Sequence, residues 1–493
     1  MPAPCTSLAN ELMNVIQAVH VRRPRHTVLV LSRCLIVLAF VLNLGCSYFR
    51  PTLNDPLTKW EPAGGYRFIN LAPPDADNSD SLIILAAFSG GGTRASTLAF
   101  GALRELAQQR IVWEGKEKRL LDEVDVIHAL SGGTFTAGYY ALYRDQIFHD
   151  FEYRFLRKDW EKELKERVFQ SPSNWIRLWS PYFGRAHLLA ELLDEALFDH
   201  KTYADLAAHN QRPFLIIHSS DMATLSRFEF NQLQFDLICS DLYKLPIAMA
   251  SASSAALPLV LSPISLKNFA GNCAYEVPAW LEQAKERGGI GGQRANELLS
   301  YLDTKKRPYI HLLDGGLSDN LALRGILEGS GVAGNVEALL KQAGVKNVRK
   351  FVVLAVNAET SPDVMEFRSD HVPVLSKAMN SLIDVPINRY SFDTVALLRL
   401  GIQKWQEMLK LERPEGSPFA PGAEIYFINA SLAEVPDLDE RASLMRIPTT
   451  LYLKDEQIDR LVRAASSLIR NDPDFRRLMR DIEREAQKRP AGP

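Results

Sequence analysis

The dominant pattern along the chain is a series of short, largely apolar runs. Residues 82–88 read Leu-Ile-Ile-Leu-Ala-Ala-Phe and stop at glycines, and 124–130 read Val-Asp-Val-Ile-His-Ala-Leu. Runs that lack polar alternation are expected of strands buried on both faces of a parallel sheet. Four more stand at 213–218, 309–313, 351–356 and 424–428. The stretches 95–109 and 134–143 fit helices, so the pattern predicts an α/β sheet covered on both faces.

Three segments fall outside this alternation. Residues 46–80 are rich in Pro, Asn, Asp and Gly without a sustained period, which suits a tether and lead-in. Residues 276–306, with Gly288, Gly289, Gly291 and Gly292 at the centre, read as a surface insertion carrying a helix or two. Over 455–482 a helical period runs through Ile458, Leu461, Val462, Ala465, Leu468 and Ile469, before a polar end expected to fray.

Composition adds that most of the chain is an ordinary folded protein. Hydrophobic residues make up 46% and charged residues 24%, which argues against wholesale disorder or a polytopic membrane protein. A net charge of −2 offers no global field for nucleic acid. The N-terminus departs from that average. Arg22, Arg23, Arg25 and Arg33 precede a short apolar run ending Leu44-Gly45-Cys46-Ser47, the order of a secretory signal. The ending resembles a bacterial lipoprotein cleavage box, although Asn43 stands where an aliphatic residue is usual. The expectation is an exported protein of the bacterial cell envelope, held at a membrane, the outer one favoured, by lipid on Cys46, with an uncleaved anchor or plain secretion as the alternatives. Cleavage there would remove four arginines and one glutamate and leave the remainder mildly acidic. Cys239 and Cys273 then form an even pair, as compatible with a disulfide as with two buried thiols. No spacing suits zinc, and no cofactor is called for.

Three motifs could carry chemistry. Phe88-Ser-Gly-Gly-Gly-Thr-Arg94 lies between a predicted strand and a predicted helix, where glycine amides and a helix N-terminus can face a negative oxygen. Ala129-Leu-Ser-Gly-Gly133 nearly matches the GxSxG turn that exposes a serine, with Ala129 adding one methyl where backbone crowding is expected. His311-Leu-Leu-Asp-Gly-Gly316 puts Asp314 at the end of a strand, beside Gly315 and Gly316, where a desolvated carboxylate could take the proton of Ser131. Taken singly, each is also an ordinary turn.

Together, in this order, the motifs resemble the patatin-like phospholipases, as does Ser253-Ser-Ala-Ala-Leu-Pro-Leu-Val-Leu-Ser-Pro263. The resemblance covers roughly residues 82–323. It implies a three-layer α/β/α fold with a mainly parallel sheet, plus an insertion and C-terminal helices. It also implies a serine lipid acyl hydrolase in which Ser131 attacks and Asp314 is the base. Gly90, Gly91, Gly92 and Arg94 would form the oxyanion site, with Gly133 a further glycine of the serine turn. The substrate would be a phospholipid or other acyl-ester lipid. The organisation that follows is a leader over 1–45, a tether over 46–80, a catalytic core over 81–330, its completion over 331–454 and a helical tail over 455–493.

Two rival readings remain at this level. One is a Ser-His-Asp esterase using His371, in an apparent loop; the other is a catalytically lapsed lipid-binding scaffold, suggested by Ala129 and the insertion. His128, three residues before Ser131, falls on the opposite strand face and reads as a packed histidine. Asp221 fits a turn cap, the apolar stretch 255–261 could line an acyl pocket, and Arg389, Tyr390 and Asp393 could support a substrate-facing loop. The arginines at 476–489 alternate with acids and read as a charged helix face.

Overall fold

The computed structural model describes residues 48–71, 78–361, 370–372, 374–411 and 416–488. The leader, Cys46 and the last residues of the chain lie outside them. Two units are distinguished, Met1–Pro51 with Trp179–Phe183, and Thr52–Leu178 with Gly184–Pro493. Within the first, the Phe49 ring meets Phe183 edge-on and Arg50 stacks over Tyr182.

Among its described residues the second unit holds ten strands: β1 (Leu82–Phe88), β2 (Arg110–Trp113), β3 (Lys116–Arg119), β4 (Val124–Leu130), β5 (Phe214–Asp221), β6 (Ser226–Phe230), β7 (Ile264–Lys267), β8 (Tyr309–Leu313), β9 (Val348–Asn357) and β10 (Phe419–Ser431). Strands β2 and β3 form a separate hairpin. The main sheet runs β10-β9-β1-β4-β5-β8-β7, with β6 also on β5. From β10 to β5 every pairing is parallel. The central β1 and β4 are buried along their whole length, which is why they contain no polar alternation. Helices cover both faces, so the fold is the expected α/β/α arrangement with a mainly parallel sheet.

The pairing of β8 differs from a simple parallel plan. It is antiparallel to β5, through Ser220 opposite Leu313 and Asp221 opposite Leu312. Asp314 therefore reaches the site along a strand running back toward the sheet. An apolar run of five residues carries no sign of direction, so the sequence could not distinguish the two arrangements.

Hydropathy also passed over β6 and β7. In β6 the charged residues are paired with each other, buried Arg227 placing Nη2 2.7 Å from Oε1 of half-buried Glu229. Strand β7 is only four residues, Ile-Ser-Leu-Lys. Arg389, Tyr390 and Asp393 stand in a long helix, Leu375–Lys410, not in a loop. Pro386 lies inside that helix, and Leu398, Ile402 and Trp405 on its later turns are buried. Tertiary packing of this kind outweighs a local helix breaker. The glycines at 288–289 separate two helices, Ala279–Arg287 and Gly289–Leu299. Cys239 and Cys273 are joined in a disulfide.

At the other end of the chain, the helix Asp455–Asn471 packs on the helix Gly92–Gln108. The crossing is close because Gly101 has no side chain: a Cβ there would stand 2.8 Å from that of Ala465 and 3.0 Å from the Val462 backbone. Nearby, the Arg470 guanidinium donates to both oxygens of the buried Glu105, at 2.6 and 2.7 Å. We expect Gly101→Val to force the two helices apart and to lower the unfolding free energy by about 1–3 kcal/mol, measured by urea denaturation.

Candidate active site

Ser131 lies between β4 and the helix Gly133–Tyr143 with φ of +45°, a left-handed conformation that costs energy outside glycine. Such a turn lifts the side chain clear of the strand. Its crowded positions are the two that follow. A Cβ on Gly132 would collide with the Gly92 carbonyl, and one on Gly133 would approach the carbonyls of Phe88 and Ser89 at 2.7 and 2.8 Å. Ala129 sits inside β4, paired with Phe88 on one side and Ile217 on the other. The turn forms with alanine there.

The Ser131 hydroxyl donates to Asp314 Oδ2 at 2.9 Å. The other carboxylate oxygen, Oδ1, accepts the Gly316 amide at 2.8 Å, which fixes which oxygen faces the serine. Burial pushes the Asp314 pKa up to about 6, while the bonds from Gly316 and Ser131 act in the opposite sense. At neutral pH the carboxylate is mostly ionised yet more basic than an exposed one. This is the state a general base needs.

One segment holds both members of the pair. Ser254 Oγ accepts the Ser131 amide at 2.7 Å and donates to the His218 carbonyl. The Ser254 carbonyl accepts the Gly315 amide at 2.9 Å, and the Ala256 carbonyl accepts the Asp314 amide at 3.0 Å. The sequence marked this serine- and alanine-rich stretch without showing which serine mattered. Ser253, one residue earlier, instead bonds back to the Met249 carbonyl within its own helix.

The glycine loop divides into two roles. The Gly90 amide donates to the Asn320 carbonyl at 3.1 Å. Arg94 is buried, its Nε donating to Ala358 O, its Nη1 to Ile447 O and its Nη2 to Thr449 Oγ1. These groups fasten the loop to Asn320, to the residue that follows β9 and to the 447–450 segment. Gly91 and Gly92 are left at the mouth of the helix Gly92–Gln108, where amides have no intrahelical acceptor. Gly92 is pressed against the Thr450 carbonyl, so this wall of the site depends on residues far along the chain.

Ser131, Asp314 and Gly90–Gly92 open into a cavity of about 460 Å³. Its walls are largely apolar and include Phe135, Leu164, Val168, Leu189 and, from the stretch singled out in the sequence, Ala255, Leu257, Val260 and Leu261. Glu161, Lys165 and Arg185 add charge to the lining.

The remaining candidates stand elsewhere. His371 is exposed, and the group bonded to the Ser131 hydroxyl is a carboxylate. His128 turns to the opposite sheet face and pairs with His218, Nδ1 to Nε2 at 3.0 Å; burial pushes its pKa down to about 4 and keeps it neutral. Asp221 caps a turn at Ala223, accepts from the Tyr301 hydroxyl at 2.7 Å and pairs with Arg307. Tyr390 is covered by the Arg324 guanidinium. Arg477 and Arg484 pair with Asp474 and Asp481. Among the described residues, no group of three His, Cys, Asp or Glu could hold a metal ion, and no helix is long and apolar enough to cross a membrane.

Residues 86–327 match the family model described as patatin-like phospholipase. No curated protein sequence matches the chain. Among solved structures, human GIVD cytosolic phospholipase A2 is similar at 14% identity and a TM-score of 0.46, over 83% of this chain and 63% of that one. VipD from Legionella pneumophila is similar at 11% identity and a TM-score of 0.25, over 86% of this chain and 73% of that one. The chain thus spans less than two thirds of the human structure.

Ser254→Ala would leave the Ser131 amide and the His218 carbonyl without their shared partner. We expect a loss of about 1–3 kcal/mol in unfolding free energy. Labelling of Ser131 by a fluorophosphonate should slow by roughly tenfold to a hundredfold as the nucleophile drifts from its geometry. Intact-mass kinetics beside a denaturation curve would check both.

Proposed function

With residues 86–327 forming a patatin-like phospholipase domain, we propose that this protein is a serine lipid acyl hydrolase of the phospholipase A, lysophospholipase or esterase type. The observation that carries the reading is the hydrogen bond from Ser131 to a buried, basic Asp314 at the floor of an apolar cavity.

In this mechanism an acyl chain lies along Leu257, Val260 and Leu261, with its ester carbonyl above Ser131. Ser131 Oγ forms a bond to the carbonyl carbon as its proton passes to Asp314 Oδ2. The carbonyl oxygen takes the negative charge and is met by the Gly91 and Gly92 amides at the helix N-terminus. Collapse breaks the bond to the leaving alkoxide, which receives the proton from Asp314. Water then attacks the acyl-enzyme, giving its proton to the same carboxylate. A free fatty acid departs, and the serine recovers its proton. The products are a fatty acid and a lysolipid or alcohol. Gly90 and Arg94 serve by holding the loop that carries the donors.

We place the mature protein in the bacterial cell envelope, exported and lipid-anchored through Cys46, at the outer membrane. Support comes from the basic and apolar leader and from the Cys239–Cys273 disulfide, a bond suited to an oxidising compartment. An anchor would hold the cavity at its substrate's surface.

Lipid-product mass spectrometry should show fatty acid and lysolipid release by wild type and a loss of roughly a thousandfold or more in Ser131→Ala and Asp314→Asn. Unchanged hydrolysis by Ser131→Ala would overturn the mechanism. Because the base acts when ionised, kcat/KM should climb with pH through about 6 and level off above it. Cys46→Ala should move the activity from the membrane pellet to the soluble fraction.

A further inference from the structure

A second cavity, of about 260 Å³, lies on the other face of the sheet, beneath the helices Gly289–Leu299, Arg324–Ala333 and Val336–Gln342. It shares no lining residue with the cavity at Ser131. Its floor is the middle of the central strands, and the two faces of those strands differ. Leu85, Val126, Phe214 and Ile216, which line it, remain 9%, 9%, 7% and 8% exposed, whereas Ile127, Leu215 and Ile217 on the opposite face are at 0%. A well-packed sheet face would leave no such surface, because unfilled apolar space forfeits contacts on every wall.

The polar groups around it define what could fill it. Gln234 is only 1% exposed, yet neither its amide nitrogen nor its oxygen has a hydrogen-bond partner. A buried amide in that state is costly, and it offers two donors and an acceptor to an incoming group. The guanidinia in the wall are already neutralised: Arg227 lies 2.7 Å from Glu229 and 2.8 Å from Glu328, and Arg294 3.4 Å from Glu297. His128, which also lines the space, is held neutral by burial. An ionised head group would find no free counter-charge. At its rim the cavity meets half-buried Leu233 and exposed Gln342, which gives a chain a way in from solvent.

We propose that this cavity binds a single-chain amphiphile with an uncharged hydroxyl or amide head, the head against Gln234 and the chain along Leu85, Val126 and Ile216. The volume, near the lower end of the ~300–1,000 Å³ of small-molecule sites, suits one chain of moderate length. The site does not depend on the chemistry assigned to Ser131.

Trp280 lines this cavity and no tryptophan lines the one at Ser131, so a brominated ligand reports on the site directly. Titrating the wild-type protein with 11-bromoundecanol should quench tryptophan fluorescence saturably, and Trp280→Phe should remove that component. Gly329, whose Cβ would have only Leu339 near it at 3.8 Å, faces the space, and Gly329→Leu should fill it and weaken binding at least tenfold. Gln234→Leu should weaken the bromo-alcohol several-fold and leave 1-bromodecane unaffected. Ala343→Leu, at another point of the wall, repeats the filling test should Gly329→Leu fail to fold. Quenching that is linear in concentration, or equal in wild type and Trp280→Phe, overturns the proposal. So does binding that survives both filling variants, or quenching by 11-bromoundecanoate at pH 8 as strong as that by the alcohol.

Discussion

The geometry of the site depends on one buried hydroxyl. Ser254 Oγ accepts the amide of Ser131, which is held at a positive φ, and donates to the His218 carbonyl, so its two bonds have a fixed direction. A strained residue persists only where its surroundings over-determine it. Here the surroundings include the short segment, Ser254 to Ala256, whose two end carbonyls receive the amides of Gly315 and Asp314. The 2.9 Å separation of serine and carboxylate is therefore set by backbone bonds to a common segment, not by the side chains finding each other.

A second constraint is contact between main chains without side chains between them. Gly132 meets Gly92, and Gly92 meets Thr450. The serine turn, the glycine loop and the 447–450 segment thus form one stack, which Arg94 fastens from behind through three acceptors. Gly91 and Gly92 line the cavity, while the Gly90 amide, the Thr93 amide and the Arg94 guanidinium are bonded elsewhere. Rigid placement of donors before a charge develops is what makes such a site effective.

How much of this was legible in the sequence follows from what each pattern measures. Largely apolar runs reported burial on both faces, and the strands at 82–88 and 124–130 appear where they were read. The motifs carrying Ser131, Asp314 and the three glycines were also legible, since turn chemistry is local. Long-range pairing was not. The direction of β8, the burial of Arg227 in β6 against Glu328, and the helix through Pro386 are settled by partners far away in sequence. Ser254 was visible as a serine in a distinctive segment, but its role lies in a bond to a residue 123 positions earlier. The roles of Gly90 and Arg94 turned on acceptors at Asn320, Ala358, Ile447 and Thr449, which no local motif contains.

The spacing of these parts along the polypeptide sets when chemistry can begin. Ser131 and Asp314 are 183 residues apart, and the wall behind the glycine loop is completed only by the segment around Thr450. A chain still emerging from the ribosome, or cut short before that segment, has Ser131 but neither Asp314 in place nor the glycine loop braced. On the function proposed above, the site is silent while the chain is being made and becomes competent only once nearly all of it has folded.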